Sequence, residues 1–451
     1  MKYIKVLFFF IVFLQLTDTY KLPLLLIGQT TSTASLATLI MCMTYIAFNF
    51  SLFRKLLRQK LFKIWINIIV TLPAFFTTVH FFMYHLDLAE YIYWISFFLF
   101  FGSLYVVSAM LVYSEVSNKI VNRLFVFAII AAIVGFIISA VNYPFILALM
   151  SLASNKTNAI ESGVTEIQRA VGFFAQANTA AKAIVLYFIF LLGNYFYKFS
   201  KKINIIMMIL FILMVFWTGS RTSLLIIFFV LIFFAPSILY PKVFNSESKG
   251  INLFKVFIIL RSVFVAWIGL LILNVFATSI ADTQYGELAG RLDFLRNVGD
   301  NKNGLSEDVS LNARFEVIND YLFYIAQDFL IGKGPEFRNE MRKSGEFQIG
   351  SQNEYLETGL SHGIFYVFYY LYALIVTFNI VGDNKITRKI NSGKSIKILV
   401  FVIFIYGFSI NYIFLERVSV IVFGVLIGMY LRDKEIKINE FRNSSVNYKA
   451  I

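Results

Sequence analysis

The chain has 451 residues, of which 59% are hydrophobic, 18% aromatic (52 Phe, 25 Tyr) and only 15% charged. Water-soluble domains carry roughly 25% charged residues, and apolar runs of about 20 residues recur here along nearly the whole length, so a soluble enzyme is excluded and an all-α polytopic integral membrane protein is expected. The formal net charge of +14 would suggest nucleic acid in a soluble chain, but here the basic residues must first be placed relative to a bilayer. The single Cys42 permits no internal disulfide or cysteine cluster, and three His leave little for a metal site, so no metal and no cofactor are expected.

At the N-terminus, Lys2 and Lys5 precede an apolar run from Val6 to Leu16, as in a signal peptide. No small-x-small cleavage site follows and apolar character resumes at Leu22, so the segment reads as an uncleaved first span. Further spans are expected at 33–52, 64–85, 92–113, 124–142, 181–198, 203–218, 222–240, 256–279, 355–379, 398–414 and 418–431, twelve in all. With the N-terminus inside, every alternate loop is basic: Arg54, Lys55, Arg58, Lys60 and Lys63; Lys119 and Arg123; Lys198, Lys201 and Lys202; Lys242, Lys249 and Lys255; Lys385, Arg388, Lys389, Lys394 and Lys397; and the tail Arg432, Lys434 and Lys437. That asymmetry orients the chain with both termini in the cytoplasm. The expected organisation is spans one to five over 1–142, a first external loop at 143–180, spans six to nine over 181–279, a large external loop at 280–354, spans ten to twelve over 355–431 and a cytoplasmic tail at 432–451.

Between 280 and 354 there are eight Lys+Arg against thirteen Asp+Glu, an acidic loop in a basic chain. Within it Phe315, Ile318, Leu322, Ile325 and Phe329 recur at helical spacing, with Ser310 or Asn312 placed to cap the start and Gly332 and Gly334 to end the run. The pattern fits a helix lying on the outer membrane surface and equally a helix packed on an external subdomain.

Arginines on the outer side stand against the positive-inside bias. Arg221, in Thr218-Gly219-Ser220-Arg221-Thr222-Ser223, marks a tight external hairpin between apolar runs; a guanidinium at that depth seeks an anion, whether a substrate or a lipid phosphate. Arg169 opens a second cluster in which Gly172 permits close backbone approach and Asn178 offers a donor and an acceptor at the mouth of span six. Arg314 begins the loop helix. Ahead of and inside span ten, Gln352, Asn353, Glu354 and Glu357 form a fourth cluster, with the two carboxylates one helical turn apart and His362 two turns beyond Glu354. Carboxylates there either pair with the outer arginines or serve as a general base or as hydroxyl recognition. Arg417 reads as an interfacial charge paired with Glu416, and His80 and His85 as interfacial residues.

Together these clusters, in this order and on these loops, resemble the O-antigen ligase and Wzy polymerase superfamily of bacterial envelope proteins. The family's Arg-x-x-Gly-Phe-Phe-x-x-x-Asn segment is met from Arg169 to Asn178, with Ala177 where Pro is more usual. Its Ser-Arg pair is met by Ser220-Arg221, its arginine-led loop helix and Gly-x-Gly by Arg314 and Gly332-Lys333-Gly334. Its His-Asn-x-x-Leu segment with a following glycine is met by Asn353, Leu356 and Gly363. Gln352 stands where ligases carry the histidine, which favours a polymerase, and Tyr366 replaces a further glycine.

The resemblance implies a GT-C-like helical fold in the cytoplasmic membrane of a bacterium, with the active site on the outer face. It implies transfer of a glycan from undecaprenyl-pyrophosphate to an acceptor sugar hydroxyl, building O-antigen, capsule or exopolysaccharide. Arg221 and Arg314 would hold the pyrophosphate with Arg169 in support, Asn353 would orient substrate, and Glu354, then Glu357, are the base candidates. Gly172, Asn178, Ser220, Gly332, Gly334 and Gln352 would support the site. The implied partners are the lipid-linked glycan, the bilayer, a chain-length regulator and a flippase, and no nucleic acid. An O-antigen ligase is the alternative within the family; a lipid-linked oligosaccharide flippase is the alternative of another class.

Overall fold

The computed structural model describes residues 31–84, 87–114, 118–141, 177–194, 201–233, 309–337, 353–382, 391–408 and 416–447, with a few isolated positions besides. Among these residues every regular element is helical. The chain divides into two compact units, one built mainly from Ser35–Val121 and Ser306–Ile451, the other mainly from Asn122–Leu305. The first contains α1 (Thr31–Phe48, apart from its first turn), α2 (Phe50–Leu57), α3 (Lys60–Ile66), α4 (Leu72–Tyr84) and α5 (Leu88–Ser114). The second contains α6 (Asn118–Val141, apart from its first turn), α7 (Ala177–Asn194), α8 (Lys201–Trp217) and α9 (Arg221–Phe233). The first resumes with α10 (Val309–Gln327), α11 (Glu354–His362), α12 (Ile364–Gly382), α13 (Asn391–Gly407) and α14 (Arg417–Asn447).

Among the described residues, Lys60–Tyr84, Leu88–Ser114 and Ile364–Val381 are long and apolar enough to cross a membrane, and Ser35–Phe48 with Phe50–Leu57, bent by 86°, would make a fourth. Two expected spans are therefore reshaped. The run from 33 to 52 turns a corner at Asn49, and the run from 355 to 379 is two helices broken at Gly363, whose φ is 78°. The run expected at 256–279 lies almost wholly outside the described residues.

Helix α5 is the mast of the first unit, buried without interruption from Phe100 to Tyr113. Small residues let α14 lie directly on it. A Cβ on Gly424 would stand 2.5 Å from the Tyr105 carbonyl oxygen, and one on Gly428 2.5 Å from that of Ala109, so the two backbones touch through a Gly-x-x-x-Gly face. Trp65, fully buried, packs edge-on against Phe423 with ring centroids 4.4 Å apart and donates its indole N–H to Thr377 Oγ1 at 2.9 Å.

A π-helical turn, Asn67–Thr71, joins α3 to α4. The bond from Leu72 N to Asn67 O sets the i+5 register; the next donor in that register would be Pro73, which has no N–H. Ile68 O is thereby left for another partner, and the Tyr366 hydroxyl of α12 donates to it at 2.6 Å. Tyr366, where the family pattern has glycine, is thus a tie between α12 and the π turn.

Candidate active site

In the first unit α10 is clamped to α11. Tyr321 and Ile325 of α10 pack with Leu360 of α11, flanked by Val317, Tyr324, Phe337, Met341 and Leu356. The packed face is rotated from the one that spacing suggested: Leu322 and Phe329 are half exposed, as are Phe323 and Leu330.

After α10 the chain turns back on itself. Gly332 N donates to Asp328 O at 2.8 Å, Lys333 N to Leu360 O at 2.6 Å and Ile364 N to Phe329 O at 2.9 Å. The 329–333 loop therefore supplies partners to the carbonyl and amide groups left open where α11 ends. Both glycines of this contact are required. Gly332 has φ 73°, and a Cβ on it would meet Gly363 N at 2.6 Å and His362 N at 2.8 Å; a Cβ on Gly363 would strike the Leu330 carbonyl. Gly334, φ 96°, lies against the His80 ring, and His80 Nε2 is 3.1 Å from Gly332 O.

His80 is fully buried, which corrects its interfacial reading: the loop folds over the end of α4 and covers it. His85 lies outside the described residues. Around the loop, Lys333 Nζ meets Asp328 Oδ2 at 2.6 Å, Tyr84 donates to Asp328 Oδ1 at 3.0 Å, and the Trp94 indole N–H donates to Glu336 Oε2 at 3.1 Å. Partial burial pushes the Asp328 carboxyl up, but the Lys333 and Tyr84 bonds outweigh it and hold the group below its ordinary value.

Asn353 is the N-cap of α11, its Oδ1 accepting from Tyr355 N at 3.0 Å and Leu356 N at 3.1 Å. Glu354 and Glu357 occupy the first turn, where the helix dipole favours negative charge. They differ in surroundings. Glu357 is completely buried and its Oε1 accepts from the Tyr321 hydroxyl at 2.8 Å, whereas Glu354 keeps 6% exposure. At the other end of α11, His362 is 94% buried (6% exposed) in a box of Phe76, Phe98 and Tyr366, with ring centroids 6.3, 5.9 and 5.1 Å away. Its Nε2 has no hydrogen-bond partner among the described residues.

In the second unit, α8 and α9 meet in the expected hairpin. Gly219, φ 64°, donates its N–H to Phe216 O at 2.9 Å. Thr218 Oγ1 donates to Val215 O at 2.6 Å and accepts from Ser220 N at 3.2 Å. Ser220 then stands at the cap position of α9, its hydroxyl donating to Ser223 Oγ at 2.9 Å and its carbonyl accepting from Leu224 N at 3.0 Å. This puts Arg221 at the first helical position, where backbone N–H groups and the helix dipole both favour an anion.

Asn178 is exposed in the first turn of α7, and one turn along on the same face Lys182 is 4% exposed. Sequence reading passed over Lys182, although a lone cation in an apolar run four residues after Asn178 is a recognisable signal. Arg417 donates from Nη2 to Ser35 Oγ at 3.0 Å and lies 5.3 Å over the Phe100 ring.

The structure thus places Gly332 at the end of α11, Gly334 against His80, and Asn353, Glu354 and Glu357 at the start of α11, all in the first unit, with Arg314 on α10 of that unit. Ser220, Arg221 and Asn178 belong to the second. Arg169, Gly172 and Gln352 lie outside the described residues.

Among the described residues every regular element is helical, and three helices are long and apolar enough to cross a membrane, which marks a membrane protein. Residues 206–371 match the family model described as O-antigen ligase, Wzy_C. Through that segment the chain is similar to the O-antigen ligase family. The matched stretch takes in Ser220, Arg221, Arg314, Gly332, Gly334, Asn353, Glu354 and Glu357. No curated protein matches the chain.

Proposed function

We propose that this protein is a polysaccharide polymerase, transferring a glycan from undecaprenyl-pyrophosphate to an acceptor sugar hydroxyl at the outer face of a bacterial cytoplasmic membrane. The observation that carries the reading is the clamp of Gly332 onto the end of α11: two motifs, far apart in sequence and both within the family match, share one backbone contact. In the reaction the acceptor oxygen bonds to the anomeric carbon, the bond from that carbon to the pyrophosphate oxygen breaks, and the hydroxyl proton passes to a base. Charge gathers on the leaving pyrophosphate. By the family resemblance Arg221, on a capped helix N-terminus, and Arg314, with Arg169 in support, would hold it.

Glu354 is the favoured base because Glu357 is fully buried and engaged by Tyr321. Asn353, whose Oδ1 caps α11, fixes where Glu354 stands. The ligase reading keeps support from the description of the matching family, while Gln352, incapable of acting as a base, favours the polymerase. A flippase of the same size would need no such clamped loop.

The test uses vesicles containing the full chain and a lipid-linked repeat unit, with product length read on gels. Wild type is expected to extend chains and Arg221→Ala to leave single repeats on the outer face. Accumulation of repeats on the inner face in that variant would overturn the enzyme reading, and transfer only to a terminal lipid acceptor would replace polymerase by ligase.

A further inference from the structure

Helix α2 divides cleanly into two faces. At about 100° per residue, Phe50, Leu52, Phe53, Leu56 and Leu57 fall in one arc, and Ser51, Arg54, Lys55 and Arg58 in the other. The helix leaves α1 at 86°. The corner is built rather than frayed: Asn49 Nδ2 donates to Tyr45 O at 3.0 Å, and Asn49 O accepts from Leu52 N at 3.0 Å and Phe53 N at 3.1 Å.

Its height along the bundle is fixed as well. Lys55 Nζ meets Glu435 Oε1 at 2.8 Å, and Glu435 also accepts from the Tyr113 hydroxyl. Tyr113 is one residue from the end of α5, and Glu435 lies four residues past Leu431, where the apolar part of α14 stops. Helix α2 therefore runs sideways at the level where apolar surface gives way to polar.

Arg54, Arg58, Lys60 and Lys63 are all exposed around it. Beside these cations, Phe48 is 86% and Phe50 59% exposed, and the Phe50 and Phe53 rings stand 6.1 Å apart. A basic loop that only set orientation would need neither a right-angled corner nor bare aromatic rings.

We propose that α2 and the start of α3 form an in-plane binding site for anionic phospholipid headgroups, with Phe48 and Phe50 entering the acyl region and Arg54, Arg58, Lys60 and Lys63 meeting lipid phosphates. Lys55 is spent on Glu435 and serves as the pin that holds the helix at the surface. The site is independent of the transfer reaction and stands whether the protein is a polymerase, a ligase or a transporter.

Native mass spectrometry of the full chain, titrated with phosphatidylglycerol and with phosphatidylcholine of the same acyl chains, tests it. Wild type is expected to retain phosphatidylglycerol preferentially. The variant R54Q/R58Q/K60Q/K63Q is expected to lose that preference, by up to about fivefold for each cation removed, while R123Q keeps it. Should the fourfold variant fail to fold, R58Q and K60Q made singly are each expected to weaken retention, and F48S/F50S to weaken both lipids together. Equal retention of the two lipids by wild type, or an unchanged preference in the basic variants, would overturn the proposal. So would displacement of phosphatidylglycerol by millimolar inorganic phosphate at constant ionic strength, which would mark a soluble-anion site.

Discussion

The two glycine turns inside the family match, one in each unit, solve different problems. At Thr218–Ser220 the turn is local: Gly219 takes a positive φ, Thr218 and Ser220 bond to neighbours within a few residues, and the product is one capped helix start carrying Arg221. At Gly332 the turn is long-range, since its partners Leu360, His362 and Gly363 come from beyond the rest of the loop. A family-like motif can thus be chemical in one place and architectural in another. The arginine of the first turn has a reason to meet substrate, whereas the glycines of the second have a reason to meet each other.

Substitutions should separate the two. Arg221→Ala should leave folding intact and lower transfer by roughly 100-fold or more, as losing a guanidinium from a site of developing charge does; Arg221→Lys should recover only part of that, because the fork geometry is gone. Glu354→Gln should lower kcat by about 100-fold with little change in melting temperature. Tyr321→Phe should do the opposite, costing about 1–3 kcal/mol in thermal melts by stripping a donor from buried Glu357 while sparing kcat. Loss of kcat in Tyr321→Phe equal to that in Glu354→Gln would exchange the roles of the two carboxylates.

Gly332→Ala or Gly363→Ala should destabilise the fold by more than Gly219→Ala, whose cost from φ alone is about 1–2 kcal/mol. Equal melting shifts would erase the distinction between the turns. The smallest effect concerns the Asp328–Lys333 pair. Its folded carboxyl lies below the ordinary 3.8, so the pair's contribution is present above that value and fades as pH falls through the depressed one. Melting temperatures of wild type and Asp328→Asn should therefore differ by a constant, modest amount from about pH 5 to 8 and converge in stronger acid.

Much of this was legible in residues and spacing. The loop helix, its termination at Gly332 and Gly334, and the hairpin at Ser220-Arg221 all follow from local chemistry that a sequence displays. His80 was misjudged because distance from the end of a span says nothing of a loop that folds back 250 residues later. The break at Gly363 escaped because Ser361, His362 and Gly363 are too short an interruption to lower the average of an apolar window. The N-cap role of the Asn353 Oδ1 is one that the sequence pattern did not single out. The corner at Asn49 hid for the same reason as the break at Gly363.

The Gly424 and Gly428 contact with α5 carries a consequence for biogenesis. Helix α14 leaves the ribosome some 300 residues after α5, so the face of α5 that receives Gly424 and Gly428 goes without that partner until α14 is made. A chain stopped ahead of α14 would keep the contacts of α5 with α2 and α4 but lose the close backbone fit that Gly424 and Gly428 provide.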